Sequence, residues 1–199
     1  MRLYLIRHGE ITGAHTRRYN GHRDVELSEN GRIQIERLAE YLRERVEIDA
    51  FYSSDLKRSI DSARIIADRY QSRPIAIPDI RERNFGEWEG MTFDEICEKY
   101  PNAFYSWAKD PLNYSPIGGE STIEVRDRIM PVIEELSKKH RSDTIAIVGH
   151  GGINRIIICE LLGIPLKNIF RIEQDFGALN IIDFFENINI VKLVNLTLE

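Results

Sequence analysis

Two stretches of the chain share one local pattern, an apolar run that ends in His-Gly. They are Leu3-Tyr4-Leu5-Ile6-Arg7-His8-Gly9 and Ile145-Ala146-Ile147-Val148-Gly149-His150-Gly151-Gly152. Such runs read as buried strands. If both lie in one parallel sheet, His8 and His150 emerge at the same carboxyl edge, where sheets of this kind bind ligands. Arg7 stands beside His8. Arg58 falls in the first turn of a helix expected after a second strand, next to free N–H groups that favour an anion. Two guanidiniums match phosphate oxygens bidentately and roughly neutralise a phosphate monoester, which carries about −1.5 to −2 charges near neutral pH. The same cations repel a divalent metal, and no third ligand stands at zinc spacing. The pattern therefore implies phosphate chemistry with no metal site and no cofactor. Glu10, Glu82, Glu87 and Glu89 are the nearby carboxylates that could move a proton.

The elements that would hold these groups alternate between strand and helix. Residues 3–6, 50–52, 75–77 and 144–148 read as strands, and 168–172, 178–184 and 188–194 as later ones, with a hairpin near Glu186-Asn187. A helix opens at Ser28, with Ile35, Leu38, Ala39, Leu42 and Val46 on one face. Another follows Ser54 or Asp55, either of which could cap it, and carries Leu56, Ile60, Ala63, Ala67 and Tyr70. Ser121-Thr122-Ile123-Glu124 fits a capping box for a helix bearing Val125, Ile129, Val132 and Leu136, which Pro131 should kink or shorten. A further helix covers 152–162. This order predicts a three-layer α/β/α sandwich, its central sheet mostly parallel with an antiparallel edge hairpin. One domain over 1–199 is expected. Within it, 78–120, with a short helix near 92–100, exceeds ordinary loop length and reads as a lid-like segment.

Composition narrows the class. The formal net charge is −5, which argues against a nucleic-acid or acidic-membrane partner. No apolar run approaches the ~18 residues of a membrane span, and 3–6 is too short for a signal-peptide core, so the cytoplasm is the expected location. Cys97 and Cys159 lack ligand spacing and read as reduced core residues. His15, His22 and His140 read as surface or loop groups, and Trp88 and Trp107 as core. The expected partner is a small-molecule phosphate monoester; the number of copies in solution is left open.

Beyond these readings, Arg7-His8-Gly9-Glu10 resembles the signature of the histidine phosphatase superfamily, also called phosphoglycerate mutase-like. The resemblance runs through nearly the whole chain. It continues in Arg18-Tyr19-Asn20-Gly21-His22-Arg23-Asp24, Leu27-Ser28-Glu29-Asn30-Gly31 and Ser53-Ser54-Asp55-Leu56-Lys57-Arg58-Ser59. Arg81-Glu82-Arg83-Asn84-Phe85-Gly86, Pro116-Ile117-Gly118-Gly119-Glu120-Ser121 and His150-Gly151-Gly152-Ile153-Asn154-Arg155 complete it. It implies that His8 is a nucleophile forming a phosphohistidine, and that Arg7, Arg58, His150 and Gly151 hold the phosphoryl group. It further implies that Glu82 is the general acid, His150 part of the catalytic set, and Asn20 and Gly21 substrate contacts. Ile11 and Ala14 depart from the pattern, which usually has Ser or Thr and Asn there, so the phosphate pocket should lack those hydrogen bonds. The compact 91–116 stretch looks like that of a phosphatase, not a mutase. Within the family, three blocks most resemble the phosphatases of alpha-ribazole-5′-phosphate, which serve cobalamin synthesis. A broad-specificity sugar or nucleoside phosphate phosphatase, a phosphoglycerate mutase and a non-catalytic phosphate-recognition module are the alternatives.

Overall fold

The computed structural model describes residues 1–198. Six strands form one sheet in the order β3-β2-β4-β1-β5-β6. β1 (Arg2–Arg7), β2 (Ala50–Ser53), β3 (Ile75–Ala76) and β4 (Thr144–Gly149) run parallel. β5 (Leu179–Phe184) lies antiparallel to β1, and β6 (Asn189–Leu196) pairs antiparallel with β5 at the edge.

Alternation along β1 explains the layers. Leu3 and Leu5 pack with Ile145, Ile147, Val125, Ile129 and Ile157 on one face. Tyr4 and Ile6 pack with Ala146, Val148, Ile35, Leu38 and Ile66 on the other. A strand apolar on both faces is stable only when helices cover both. α5 (Thr122–Lys139) and α6 (Gly151–Leu162) supply one layer; α1 (Glu29–Arg43) and α2 (Lys57–Asp68) supply the other. Because β1 and β4 are adjacent and in register, with Arg7 opposite Gly149, the residues after them share one edge.

Several local expectations are corrected. The 168–172 segment is not a strand but part of a 3-10 helix, Leu166–Arg171. Its buried residues, Leu166 and Ile169, are three apart, the period of a 3-10 turn, and Pro165 fixes the entry. α2 is capped by neither Ser54 nor Asp55: Ser54 bonds His150, Asp55 bonds Arg81, and Asp24 accepts from the Lys57 amide at 2.7 Å. α5 opens with the expected capping box yet runs through Pro131 to Lys139, burying Ile133 where Val132 was expected. The 78–120 stretch holds two helices, α3 (Phe93–Lys99) and α4 (Ala103–Lys109), where one was expected. They gather with Trp88 and Phe85 into a separate aromatic cluster. His140 is buried, not exposed, bonded to the Tyr52 hydroxyl at 2.8 Å and to Asp143 at 2.7 Å. Among the described residues, no helix is long and apolar enough to cross a membrane.

Candidate active site

His8, 4 % exposed, follows the end of β1. The chain turns there against the start of α1: a Cβ on Gly31 would stand 2.6 Å from the Glu10 nitrogen, so only glycine permits the approach. His8 Nδ1 lies 2.8 Å from the Gly9 carbonyl. A carbonyl can only accept, so Nδ1 carries the hydrogen and Nε2 keeps its lone pair. Burial, reinforced by Arg58 and Arg7, pushes the His8 pKa well below the ordinary histidine value, so the ring is neutral at neutral pH.

His150 is fully buried at the start of α6, its ring 5.1 Å from that of His8. Its Nε2 meets Ser54 Oγ at 2.7 Å, while Nδ1 is buried without a protein partner. Burial lowers its pKa as well, with the two arginines and His8 adding to the effect. If Ser54 donates to Nε2, Nδ1 is left as a hydrogen-bond donor for an incoming oxygen.

Arg58, 2 % exposed, donates to the Gly21 carbonyl at 2.6 Å and the Arg23 carbonyl at 2.8 Å, which fixes the plane of its fork. Arg7 donates to the Gln174 carbonyl at 2.5 Å and lies under the Phe176 ring at 3.9 Å, with its Nε buried and unpartnered. Burial pushes the Arg7 pKa down to about 10, which still leaves it charged at neutral pH. A buried and a half-buried guanidinium, with unpartnered donors beside them, make a place suited to an anion. Among the described residues, no group of three or more His, Cys, Asp or Glu could hold a metal ion.

Two adjoining compartments meet at this edge. The first, about 540 Å³, is lined by Arg7, His8, Arg58, Asn20, Gly21 and Phe176. Ile11 and Ala14 form part of its wall, so apolar surface stands where the family pattern has polar groups. The second, about 450 Å³, is lined by Phe85, Trp88, Phe93, Phe104, Trp107 and Phe170, together with Arg155 and Gly151. Sequence reasoning missed this aromatic chamber, since its rings come from four separate segments; the density of aromatics in 85–107 was the available signal. Trp107, expected in the core, is part of its wall.

Glu82 lines both compartments. Its Oε1 accepts from the Arg83 amide and its Oε2 from the Gly152 amide, each at 2.9 Å. A Cβ on Gly152 would stand 2.5 Å from Glu82 Oε1, so any larger residue there would displace the carboxylate. The other candidate carboxylates are engaged elsewhere. Glu10 accepts from the Ser28 hydroxyl, Glu87 from the Tyr100 hydroxyl, and Glu89 from the amides of His22 and Phe85.

Comparison with known proteins agrees with the geometry. The model of the histidine phosphatase superfamily (branch 1) matches residues 3–197. Phosphoserine phosphatase 1 of Hydrogenobacter thermophilus is 34% identical over 197 residues, covering 99% of this chain and 93% of its own. A glucosyl-3-phosphoglycerate phosphatase of Mycolicibacterium vanbaalenii is 35% identical over 175 residues, covering 84% and 76%. The crystal structure of the alpha-ribazole phosphatase of Shigella flexneri superposes with a TM-score of 0.90 at 28% identity, covering 98% of this chain and 96% of that one.

Proposed function

The chain belongs to the histidine phosphatase superfamily and is a phosphoric monoester hydrolase, and we propose that it works through a phosphohistidine on His8. His8 Nε2 attacks phosphorus while the bond to the ester oxygen breaks. Arg7, Arg58 and the His150 Nδ1 hydrogen hold the phosphoryl oxygens, and the α6 N-terminus at Gly151 adds its dipole. Glu82, in its acid form, passes its proton to the departing alkoxide. As a carboxylate it then takes a proton from water, whose oxygen attacks phosphorus as the P–N bond breaks. Phosphate leaves, and both His8 and Glu82 return to their starting states.

The leaving group is proposed to be alpha-ribazole, and the aromatic chamber beside Glu82 is the observation that carries this reading. Alpha-ribazole-5′-phosphate presents its phosphate on a ribose attached to a flat, methylated benzimidazole. With phosphorus at His8, the base extends past Glu82 among Phe85, Phe93, Phe104, Trp107 and Phe170. Such rings stabilise a stacked planar group by about 0.5–1.5 kcal/mol per pair beyond area burial. Phosphoserine is the second reading, favoured by Arg155 in the same chamber, whose Nη2 lies 3.8 Å from an exposed Glu173 carboxylate and could turn to a substrate carboxylate.

A panel of alpha-ribazole-5′-phosphate, phosphoserine, phosphoglycerate and sugar phosphates separates these readings. The expected result is a kcat/KM for alpha-ribazole-5′-phosphate about 10²-fold above phosphoserine, with the same rates in EDTA, since guanidiniums supply the charge. Phosphoserine turned over equally well or better would replace the substrate assignment. Activity lost in EDTA and restored by Mg²⁺ or Zn²⁺ would overturn the metal-independent chemistry.

A further inference from the structure

His22 was read from the sequence as a surface or loop histidine; in the structure it is half-buried against the segment that bears Glu82. Its Nε2 lies 2.8 Å from the Glu82 carbonyl, so Nε2 carries the hydrogen and donates. The His22 amide donates at 2.7 Å to Glu89 Oε1, which also accepts from the Phe85 amide at 3.2 Å. The contact is close: a Cβ on Gly21 would stand 2.9 Å from the Arg83 carbonyl. Arg128 also reaches the Glu82 carbonyl, but at 3.4 Å, and its guanidinium is shared with the carbonyls of Asp79 and Arg81 and with Glu120. Residues 81–85 belong to no helix or strand, so bonds of this kind set where Glu82 sits.

Gly21, just before His22, lines the phosphate compartment. The carbonyls of Gly21 and Arg23 hold the two arms of Arg58. Three consecutive residues thus tie the phosphate-binding guanidinium and the proton donor to one another. That stretch of backbone and one side-chain bond form a direct link between the Arg58 fork and the Glu82 backbone, beside the Gly152 amide that holds the Glu82 carboxylate.

We propose that His22 is a positioning residue for the reaction, holding Glu82 at the height of the leaving oxygen through its bond to the Glu82 carbonyl. This rests on Glu82 being the general acid. Loss of the bond loosens the Glu82 backbone between anchors that remain, Arg81 on Asp55 and Arg83 and Asn84 on Glu120, which affects substrates in proportion to their need for a proton. Esters of alcohols are poor leaving groups and need it most; p-nitrophenolate leaves with little help. The phosphate pocket is untouched, because Arg58 is held by backbone carbonyls on either side of His22 and not by its ring.

The experiment measures kcat/KM over a leaving-group series, from alkyl phosphates to p-nitrophenyl phosphate, for His22→Met, His22→Ala and His22→Gln. Methionine and alanine remove the donor, and glutamine returns an N–H at a similar reach. H22M and H22A are each expected to lose about tenfold on alkyl phosphates and less than about threefold on p-nitrophenyl phosphate, a fraction of the full acid contribution. Inhibition by vanadate should stay within about twofold of wild type, and H22Q should recover alkyl phosphate activity to within about threefold. In a Glu82→Gln background, H22M should cost nothing further, since both act through one group. Equal losses across the series, or H22Q no better than H22M, would overturn the assignment of His22 if E82Q itself shows the split. A flat loss in E82Q would instead remove Glu82 from the acid role, and the assignment of His22 with it.

Discussion

Replacing His8 with alanine is expected to lower turnover by at least about 10⁴-fold, because it removes the proposed nucleophile. Arg7, Arg58 and His150 remain in that variant and can still bind phosphate, but they position an ester with nothing to attack it. The ring that is lost packs against those of His150 and Phe176. The imidazole makes one hydrogen bond, to its neighbour's carbonyl, so its loss leaves a small cavity and one buried carbonyl without that donor. The folded state should therefore survive, with a drop in Tm of a few degrees. A folded His8→Ala protein that keeps more than about a tenth of wild-type activity would mean that another group is the nucleophile.

Arg58→Ala should follow at about 10²- to 10³-fold in kcat/KM, the scale for removing one preorganised donor from a site of developing charge. It also leaves the Gly21 and Arg23 carbonyls without their partner, at about 1–3 kcal/mol for each that stays buried. Activity must accordingly be compared at a temperature where the variant is folded. Arg58→Lys separates charge from geometry. An ammonium cannot bond two carbonyls and still offer a planar pair of N–H groups to phosphate. Lysine should thus recover only a small part of the loss, and a lysine variant within about threefold of wild type would reduce Arg58 to a point charge.

The parts of this site legible in the sequence are those governed by local rules. β1 and β4 declare themselves because strands buried on both faces are continuous apolar runs, and the groups that follow them must share an edge. The cap at Ser28 and the box at Ser121 involve residues three apart. What stayed hidden depends on partners far along the chain. The cap of α2 comes from Asp24, 33 residues away, which freed Ser54 for His150 and Asp55 for Arg81. His140 resembles the end of a solvated helix until Tyr52 is brought beside it by β2. His22 and Phe176 lie on irregular segments, and neither periodicity nor capping marks a loop residue whose partner is Glu82 or Arg7. The aromatic chamber belongs to the same class: Phe93 and Trp107 read as ordinary apolar residues until α3, α4 and the 3-10 helix at Leu166–Arg171 turn them toward Phe170.

Steady-state rates cannot distinguish attack by His8 from direct attack by water, since both release phosphate. Trapping the intermediate can. Glu82→Gln with p-nitrophenyl phosphate bearing a radiolabelled phosphoryl group should form the phosphoenzyme readily, because the leaving group needs little acid. Its hydrolysis should be slow, because water has lost its base. A P–N bond is labile in acid and survives alkali, unlike the phosphoserine ester it must be told from. Rapid quenching into alkali followed by peptide mapping is predicted to place the label on His8, with none in a His8→Ala control. Label on His150, or a Glu82→Gln enzyme that turns over without ever carrying label, would contradict a phosphohistidine at His8.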